Sequence, residues 1–455
     1  MGISRAARGG DIVSSNVTLH AEIRADEAPW PSPAKAWWIM AVFFLAGMLS
    51  YTDRFILSLL VDPIKAELHV TDTQVSLLQG LAFALIYSFA GLPLGRFADI
   101  LPRRAVIIAG VAVWSVATAA CGLAQNFGQL FAARVAVGIG EAALAPAAVS
   151  IITDLFPVNR RGAAFGVFLM GMAIGSGASI MSGGLLLQSA LGGAFHGLPI
   201  IGALAPWRQV LVLLCAPGGL VVAALFSFDE PKRRGALHAG PAPLKDVIGI
   251  FWKLSPVLLP LYVAVALASA GDFSLQTWLP SVLRRKFGVS PGEIGATLGL
   301  LSMVTGAAGS VLGGLISDGT VKYGVRNRIL AALIVMVLGL GGALVAFAGD
   351  SAMALVLFTV WMSAAAISEA IGITLVQEIV PNEGRGVAAA LVSFFNMIIG
   401  LGVGTTLTAV FTDSVYRDPR AVDLSITTVT LPAGLLAVVL YALARWQARK
   451  LPSES

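Results

Sequence analysis

The sequence predicts an all-α membrane protein: twelve transmembrane helices in two six-helix bundles related by a parallel repeat. Three observations predict it. Of the 455 residues, 57% are hydrophobic and only 12% charged, against roughly 25% charged in soluble domains. So few charges cannot cover a water-facing surface, and much of this surface must meet lipid. The apolar residues gather into long runs separated by short polar gaps, each run reaching the roughly 20 residues that cross a hydrocarbon core. A pattern of Asp, Pro, Arg and Gly also recurs in the second half of the chain at nearly constant offset.

The first 35 residues are mixed polar, with no apolar core of a signal peptide, and are expected to form a cytoplasmic tail. Spans then follow near 36–60, 74–98, 104–125, 128–153, 162–188 and 207–228, completing a first bundle over 36–228. A second bundle over 255–448 holds spans near 255–283, 292–317, 327–348, 351–379, 385–412 and 426–447, before a short tail at 449–455. With the N-terminus inside, 21 of the 30 Lys and Arg fall in cytoplasmic segments and 7 in external ones, with Arg54 and Arg134 inside spans. The asymmetry places both termini in the cytoplasm. The linker at 229–254 opens on Asp229, Glu230, Pro231, Lys232, Arg233 and Arg234, crosses a Gly/Pro/Ala stretch, and ends in an amphipathic segment from Leu244 to Lys253. Such a segment is expected to lie along the inner leaflet.

The repeat is specific. Asp53, Val70, Gly80, Leu81, Gly95 and Asp99 recur 219 positions later as Asp272, Val289, Gly299, Leu300, Gly314 and Asp318; Asp154, Pro157, Arg161 and Gly162 recur 224 positions later as Glu378, Pro381, Arg385 and Gly386. Six spans separate the copies, so both have the same sidedness. Parallel repeats about an axis along the membrane normal are a transporter architecture, with the binding site near the midplane between the halves.

Gly95-Arg96-Phe97-Ala98-Asp99, followed by Pro102-Arg103-Arg104, lies at the inner end between the second and third spans. The glycine lets a neighbouring helix approach, and Asp99 can accept from a facing helix N-terminus or an arginine. We expect a cytoplasmic latch between halves, built from Gly95, Asp99, Arg103, Arg104, Asp154 and Arg161, with Asp318, Lys322, Glu378 and Arg385 as the repeated set.

Charges inside the spans carry the mechanism. A charged residue at mid-membrane costs about 2.5–3.5 kcal/mol on insertion scales, so Asp53, Arg54, Arg134 and Glu141 need partners or a wet cavity. Arg134, Gly138 and Glu141 share one helix face, but the two charges are about 10 Å apart along the axis, too far to pair easily. We therefore expect the first and fourth spans to face one chamber, with the pairs formed between them. Arginine stays charged whereas a carboxylate can take a proton. An anionic substrate at Arg54 or Arg134 competes with Asp53 or Glu141 for the guanidinium, which is a basis for proton coupling; a static ion pair is the structural counter-reading. In the second half Phe273 replaces the arginine after Asp272. Tyr51, Asp272, Gln276, Trp278, Glu369, Phe395 and Asn396 are candidate substrate contacts, each equally able to serve packing. Small-residue stripes at Gly171, Gly175, Ser179 and Gly183 and at Gly400 and Gly404 suit close helix contact.

The Gly95–Asp99 motif and Arg134-Val-Ala-Val-Gly138-Ile-Gly140-Glu141-Ala142 resemble the inter-helix and helix-4 signatures of the major facilitator superfamily. Tyr51-Thr52-Asp53-Arg54, Gly140-Glu141-Ala142, Asp154-Leu155-Phe156-Pro157 and Arg160-Arg161 resemble its Spinster-like branch, although organic-anion/proton symporters share the Asp-Arg and Gly-Glu-Ala elements. The resemblance spans about 36–448. It implies the major facilitator fold and an anionic amphiphile, such as a sphingoid phosphate or lysophospholipid, as substrate. That superfamily's antiporter motif carries a proline in the fifth span, and proline is absent between Gly171 and Gly184.

The expectation is a secondary active transporter of the bacterial inner membrane, working by alternating access with the proton as coupling ion. A small organic acid is the alternative substrate; a non-transporting receptor or membrane enzyme is the alternative class. The partners expected are substrate and bilayer, with no nucleic acid, and a monomer. The basic residues sit in gaps that the positive-inside rule explains, Cys121 and Cys215 form no framework, and His20, His69, His196 and His238 all lie outside the apolar runs. Neither a metal site nor another cofactor is expected.

Overall fold

Polar caps start the helices where the sequence changes from gap to apolar run. Ser32, Thr71, Asn126, Ser290 and Asp350 each accept a first-turn N–H, satisfying a donor that has no helical partner. Pro33 and Pro291 occupy first-turn positions, where a missing N–H costs nothing. The computed structural model describes residues 30–234, 244–381 and 384–450. The expected tail up to residue 29, the linker stretch at 235–243 and the chain end from 451 lie outside the described residues.

Among the described residues twelve helices are long and apolar enough to span a membrane. They are α1 (Pro33–Leu68), α2 (Asp72–Ile100), α3 (Arg103–Leu123), α4 (Phe127–Leu155), α5 (Arg160–Leu191), α6 (Pro206–Leu225), α7 (Ile248–Arg285), α8 (Pro291–Tyr323), α9 (Val325–Phe347), α10 (Ser351–Ile379), α11 (Arg385–Tyr416) and α12 (Pro419–Gln447). An even count brings Pro33 and Gln447 to one face, here called the terminus side; the opposite face is the far side. One expectation changes. The amphipathic segment from Leu244 is no separate helix, because the α7 helix runs unbroken from Leu244 to Arg285. Phe251 packs into an apolar cluster with Tyr262, Val376, Val380 and Ala388, which draws this end into the second bundle.

The small-residue stripes fix the packing within each half. A Cβ built on Gly171 or Gly175 of α5 would stand 2.5 Å from the carbonyls of Phe44 or Met48 on α1. Gly404 of α11 meets Ala270 of α7 in the same way. Backbones this close gain dispersion over their whole length, the main attraction available between helices in lipid.

Between the halves, α5 meets α8 and α2 meets α11. A Cβ on Gly177 would reach 2.4 Å from the Gly299 carbonyl, and one on Gly184 would reach 2.3 Å from the Pro291 carbonyl. Toward the terminus side these two helices diverge. Gly162 and Gly166 of α5 and Gly306 and Gly314 of α8 would meet no atom within 4 Å. The halves therefore touch at the far side and stand apart at the terminus side.

Four spans are interrupted near their charged or polar residues. Regular α-helix breaks at Ile56 in α1, at Gly80 in α2 and at Ala143 in α4. In α11 it gives way to a π-helix from Asn396 to Gly404. Such interruptions free backbone groups, and in a bilayer these must find partners inside the protein.

Candidate functional site

The break at Ile56 follows Asp53 and Arg54 directly, and the break at Ala143 follows Glu141. There Arg54 Nη2 donates to Glu141 Oε2 at 2.8 Å, and Ser50 Oγ donates to the same oxygen at 3.0 Å. Three rings enclose the guanidinium: Tyr51, Phe83 and Tyr87 have centroids 4.7, 5.0 and 4.9 Å from Arg54 Cζ. Ring faces carry negative potential and so stabilise a desolvated cation. Arg134 is held differently from the sequence expectation. It donates through Nε to the Leu78 carbonyl and through Nη1 to the Asp53 carbonyl, each at 3.1 Å. Both carbonyls sit beside a break, where the helical ladder is interrupted, so backbone replaces the carboxylate partner anticipated for Arg134.

All four residues are between 1 and 3% exposed. They share one region but are sealed from water in this conformation, which corrects the expectation of a wet chamber around them. Several atoms are left over. Arg54 Nε and Nη1, Arg134 Nη2, Glu141 Oε1 and both carboxyl oxygens of Asp53 are buried without a hydrogen-bond partner. Unused donors and acceptors at such depth are costly, and here they lie on the two helices that carry the charges.

The second half contributes a separate polar group. Gln276 Nε2 donates to Asp272 Oδ2 at 2.8 Å within α7, and Asn396 Nδ2 of α11 donates to Glu369 Oε1 of α10 at 2.5 Å. Phe273 stacks on Phe55 across the halves, with centroids 6.0 Å apart. Two candidate contacts serve packing instead. Trp278 is fully buried with its indole N–H given to the Thr405 carbonyl at 3.0 Å, so it belongs to the α7–α11 seam and not to a cavity wall. Phe395 stacks on Tyr262 at 5.6 Å.

The expected latch residues hold each half together and do not bridge the halves. Arg103 of α3 pairs with Asp154 of α4 and with Glu230, the latter at 2.9 Å. Arg104 reaches the Phe228 carbonyl. Burial works against the Glu230 charge, but the donors of Arg103 and the N–H of Arg104 outweigh it and hold the carboxyl below its ordinary range. The second half repeats the theme, with Arg328 of α9 paired to Glu378 of α10. Arg161 caps the Phe156 carbonyl at 3.0 Å, and Arg385 caps the Val380 carbonyl at 3.3 Å. Gly95 lies nearest Pro146 of α4, the exposed Asp99 carboxylate stands 3.7 Å from Arg96 while its backbone carbonyl accepts from Arg233 of the linker, and Asp318 and Lys322 are exposed. The physical reason is the divergence of the halves at this end, which leaves nothing across the gap to grasp.

The clasp between halves lies at the far side, on residues the sequence reading did not single out. Arg285 at the end of α7 donates to Asp62 at 2.7 Å and to both oxygens of Asp72, at 2.8 and 2.9 Å. Arg284 stands 3.8 Å from Asp62. Thr73 gives its backbone N–H and its hydroxyl to Asp413 of α11, at 2.6 and 2.7 Å. The signal was present in the charge pattern. Arg284, Arg285 and Lys286 crowd a gap on the side that the positive-inside rule leaves poor in cations, so each needed an acid; Lys286 takes Asp423 at 2.5 Å.

Comparison with known proteins agrees with this architecture. The Major Facilitator Superfamily model matches residues 43–405. An MFS-type efflux pump of Mycolicibacterium smegmatis is 32% identical over 94% of this chain and 97% of its own length. The hexuronate transporter of Bacillus subtilis is 25% identical over 82% of this chain and 87% of its own. Protein spinster of Drosophila melanogaster is 23% identical over 66% of this chain and 49% of its own. Among solved structures, a bacterial homolog of the human lysosomal transporter Spinster, inward-facing and occupied, superposes with a TM-score of 0.76 at 23% identity, covering 92% of this chain and 98% of that one. Twelve spans, two packed halves and a family match over residues 43–405 lead to one conclusion: the chain belongs to the Major Facilitator Superfamily, is a membrane transporter and not an enzyme, and is similar to the superfamily's Spinster-like members.

Proposed function

We propose that the protein is a proton-coupled carrier of an anionic amphiphile, with Arg54 as the anion contact and Asp53 and Glu141 as the proton-carrying groups. The observation that carries this reading is the half-used guanidinium of Arg54. Glu141 holds Nη2, while Nε and Nη1 lie buried with no partner. A phosphate or carboxylate accepts a pair of N–H groups from one guanidinium edge, here Nη2 together with Nε or with Nη1, once Glu141 gives up Nη2. The rings of Tyr51, Phe83 and Tyr87 supply apolar surface beside that edge. An anion that takes the guanidinium displaces Glu141, and the released carboxylate, facing a low-dielectric wall, takes up a proton instead. With both termini in the cytoplasm, the far-side clasp faces outward and the chain stands open to the inside. The pathway lies between the chain's own halves, so a monomer suffices, in the inner membrane of a bacterium.

The test is reconstitution in liposomes with an internal pH dye. Proton movement on adding a lysophospholipid, absent in Arg54→Ala, is the expected result; lysolipid flux that leaves internal pH unchanged overturns the coupling. A small organic acid is the second reading. It is favoured by the likeness, over 82% of this chain, to a protein named for hexuronate. Proton movement with a hexuronate and none with a lysolipid selects it.

A further inference from the structure

Two partly buried acids of the second half, Asp272 and Glu369, have no cation partner among the described residues. In the first half, by contrast, Arg54 and Arg134 are matched in number by Asp53 and Glu141. Asp272 lies within electrostatic reach of Glu369, and Glu369 within reach of Tyr51 and Tyr441. None of these neighbours bears a positive charge. Tyr441 is turned to Ser368, their hydroxyls 2.7 Å apart.

The amides make the shortage sharper. Gln276 and Asn396 both point their NH2 groups at a carboxylate, an orientation fixed because only that end can donate. Their carbonyl oxygens are then left over. Gln276 Oε1, Asn396 Oδ1 and Asp272 Oδ1 are buried with no donor, and Gln276 itself is only 4% exposed. The region holds three unfilled acceptors and two acids. A cation with several N–H donors and no acceptor answers all of this, and an alkylammonium is that group. An anion placed there meets only repulsion.

We propose that Asp272, Glu369 and the carbonyl oxygens of Gln276 and Asn396 form a cation subsite for a substrate ammonium, so that the cargo is a zwitterionic amphiphile. Tyr51 lies within electrostatic reach of both Arg54 and Glu369, so one side chain neighbours both the anionic and the cationic subsite. The anionic end of the cargo rests on the reading of Arg54 given above; the ammonium end stands independently of it.

The test uses the full chain in detergent, in choline chloride, with three probes of matched or similar tail. Lysophosphatidylethanolamine carries phosphate and ammonium, lysophosphatidic acid carries phosphate alone, and dodecylamine carries ammonium alone. We expect the ethanolamine lipid to bind at least about tenfold more tightly than lysophosphatidic acid, and dodecylamine to bind saturably. The double variant Asp272→Asn/Glu369→Gln is expected to lose the tenfold preference and dodecylamine binding while keeping its affinity for lysophosphatidic acid. Equal affinities of wild type for the two lysolipids overturn the proposal, whether or not the variant folds. So does an equal loss of both in the variant, or stabilisation by sodium chloride alone that needs Asp272. If dodecylamine binds through these acids and lysophosphatidic acid does not bind at all, the ammonium subsite stands and the anion reading of Arg54 falls. If neither amine-bearing probe binds, the subsite itself falls.

Discussion

Arg54 and Glu141 form an ion pair with almost no water, a geometry in which losing one partner costs more than losing both. Arg54→Ala should destabilise the protein by about 3–5 kcal/mol, because Glu141 is left buried and unpaired. Arg54→Met combined with Glu141→Leu should regain most of that stability while transport stays abolished. Thermal unfolding and uptake measured on the same preparations separate the two effects. Asp53→Asn should abolish proton-driven accumulation and leave exchange intact, read as counterflow with and without a pH gradient. At this scale the sequence revealed which residues matter, since a charge inside an apolar run has few explanations. It did not reveal how Arg134 is satisfied, because its partners are carbonyls freed by helix breaks. Nor did it reveal the ring walls around Arg54, although Phe83 and Tyr87 stand at the i, i+4 spacing of one face.

Helices were legible wherever hydrophobicity alone defines them, and all twelve spans fall close to the apolar runs. The interruptions were not, because a single glycine or alanine looks the same in a continuous helix. Gly80 shows what such a position does. Its added Cβ would come within 2.2 Å of Thr405 Oγ1 on α11, and the next residue, Leu81, gives its N–H to Thr406 Oγ1 at 3.2 Å. Gly80→Ala should cost about 1–3 kcal/mol through overpacking and weaken the α2–α11 contact, detectable as a lower unfolding temperature. The linker adds a pH dependence. Glu230 is held below its ordinary range by Arg103 and Arg104, so its contribution to stability is present above the unfolded value near 4.3 and fades as pH falls through the lowered one. Wild type should therefore exceed Glu230→Gln in unfolding temperature at pH 7, with the difference closing in acid.

For the molecule as a whole, the far-side clasp and the terminus-side gap are two ends of one equilibrium between conformations. Arg285 engages two acids of the other half, so Arg285→Ala should shift the population toward far-side opening. In a background with Cys215 replaced, Ser281→Cys beside this clasp should react with an impermeant maleimide about tenfold faster when Arg285 is absent, a shift of about 1.4 kcal/mol. The repeat made the two-fold plan of the molecule legible, down to the correspondence of Arg161 with Arg385, but not that each caps a carbonyl within its own half. Which end is closed was not legible. Both conformations use the same sequence and differ by the few kcal/mol that such clasps supply.

The burial of Asp53, Arg54, Arg134 and Glu141 to 3% exposure or less also bears on leakage. While the first and fourth helices stay closed on one another, these four groups are out of contact with bulk solvent. On the coupling proposed above, protons then change sides only with cargo, and little of the gradient leaks away when cargo is scarce.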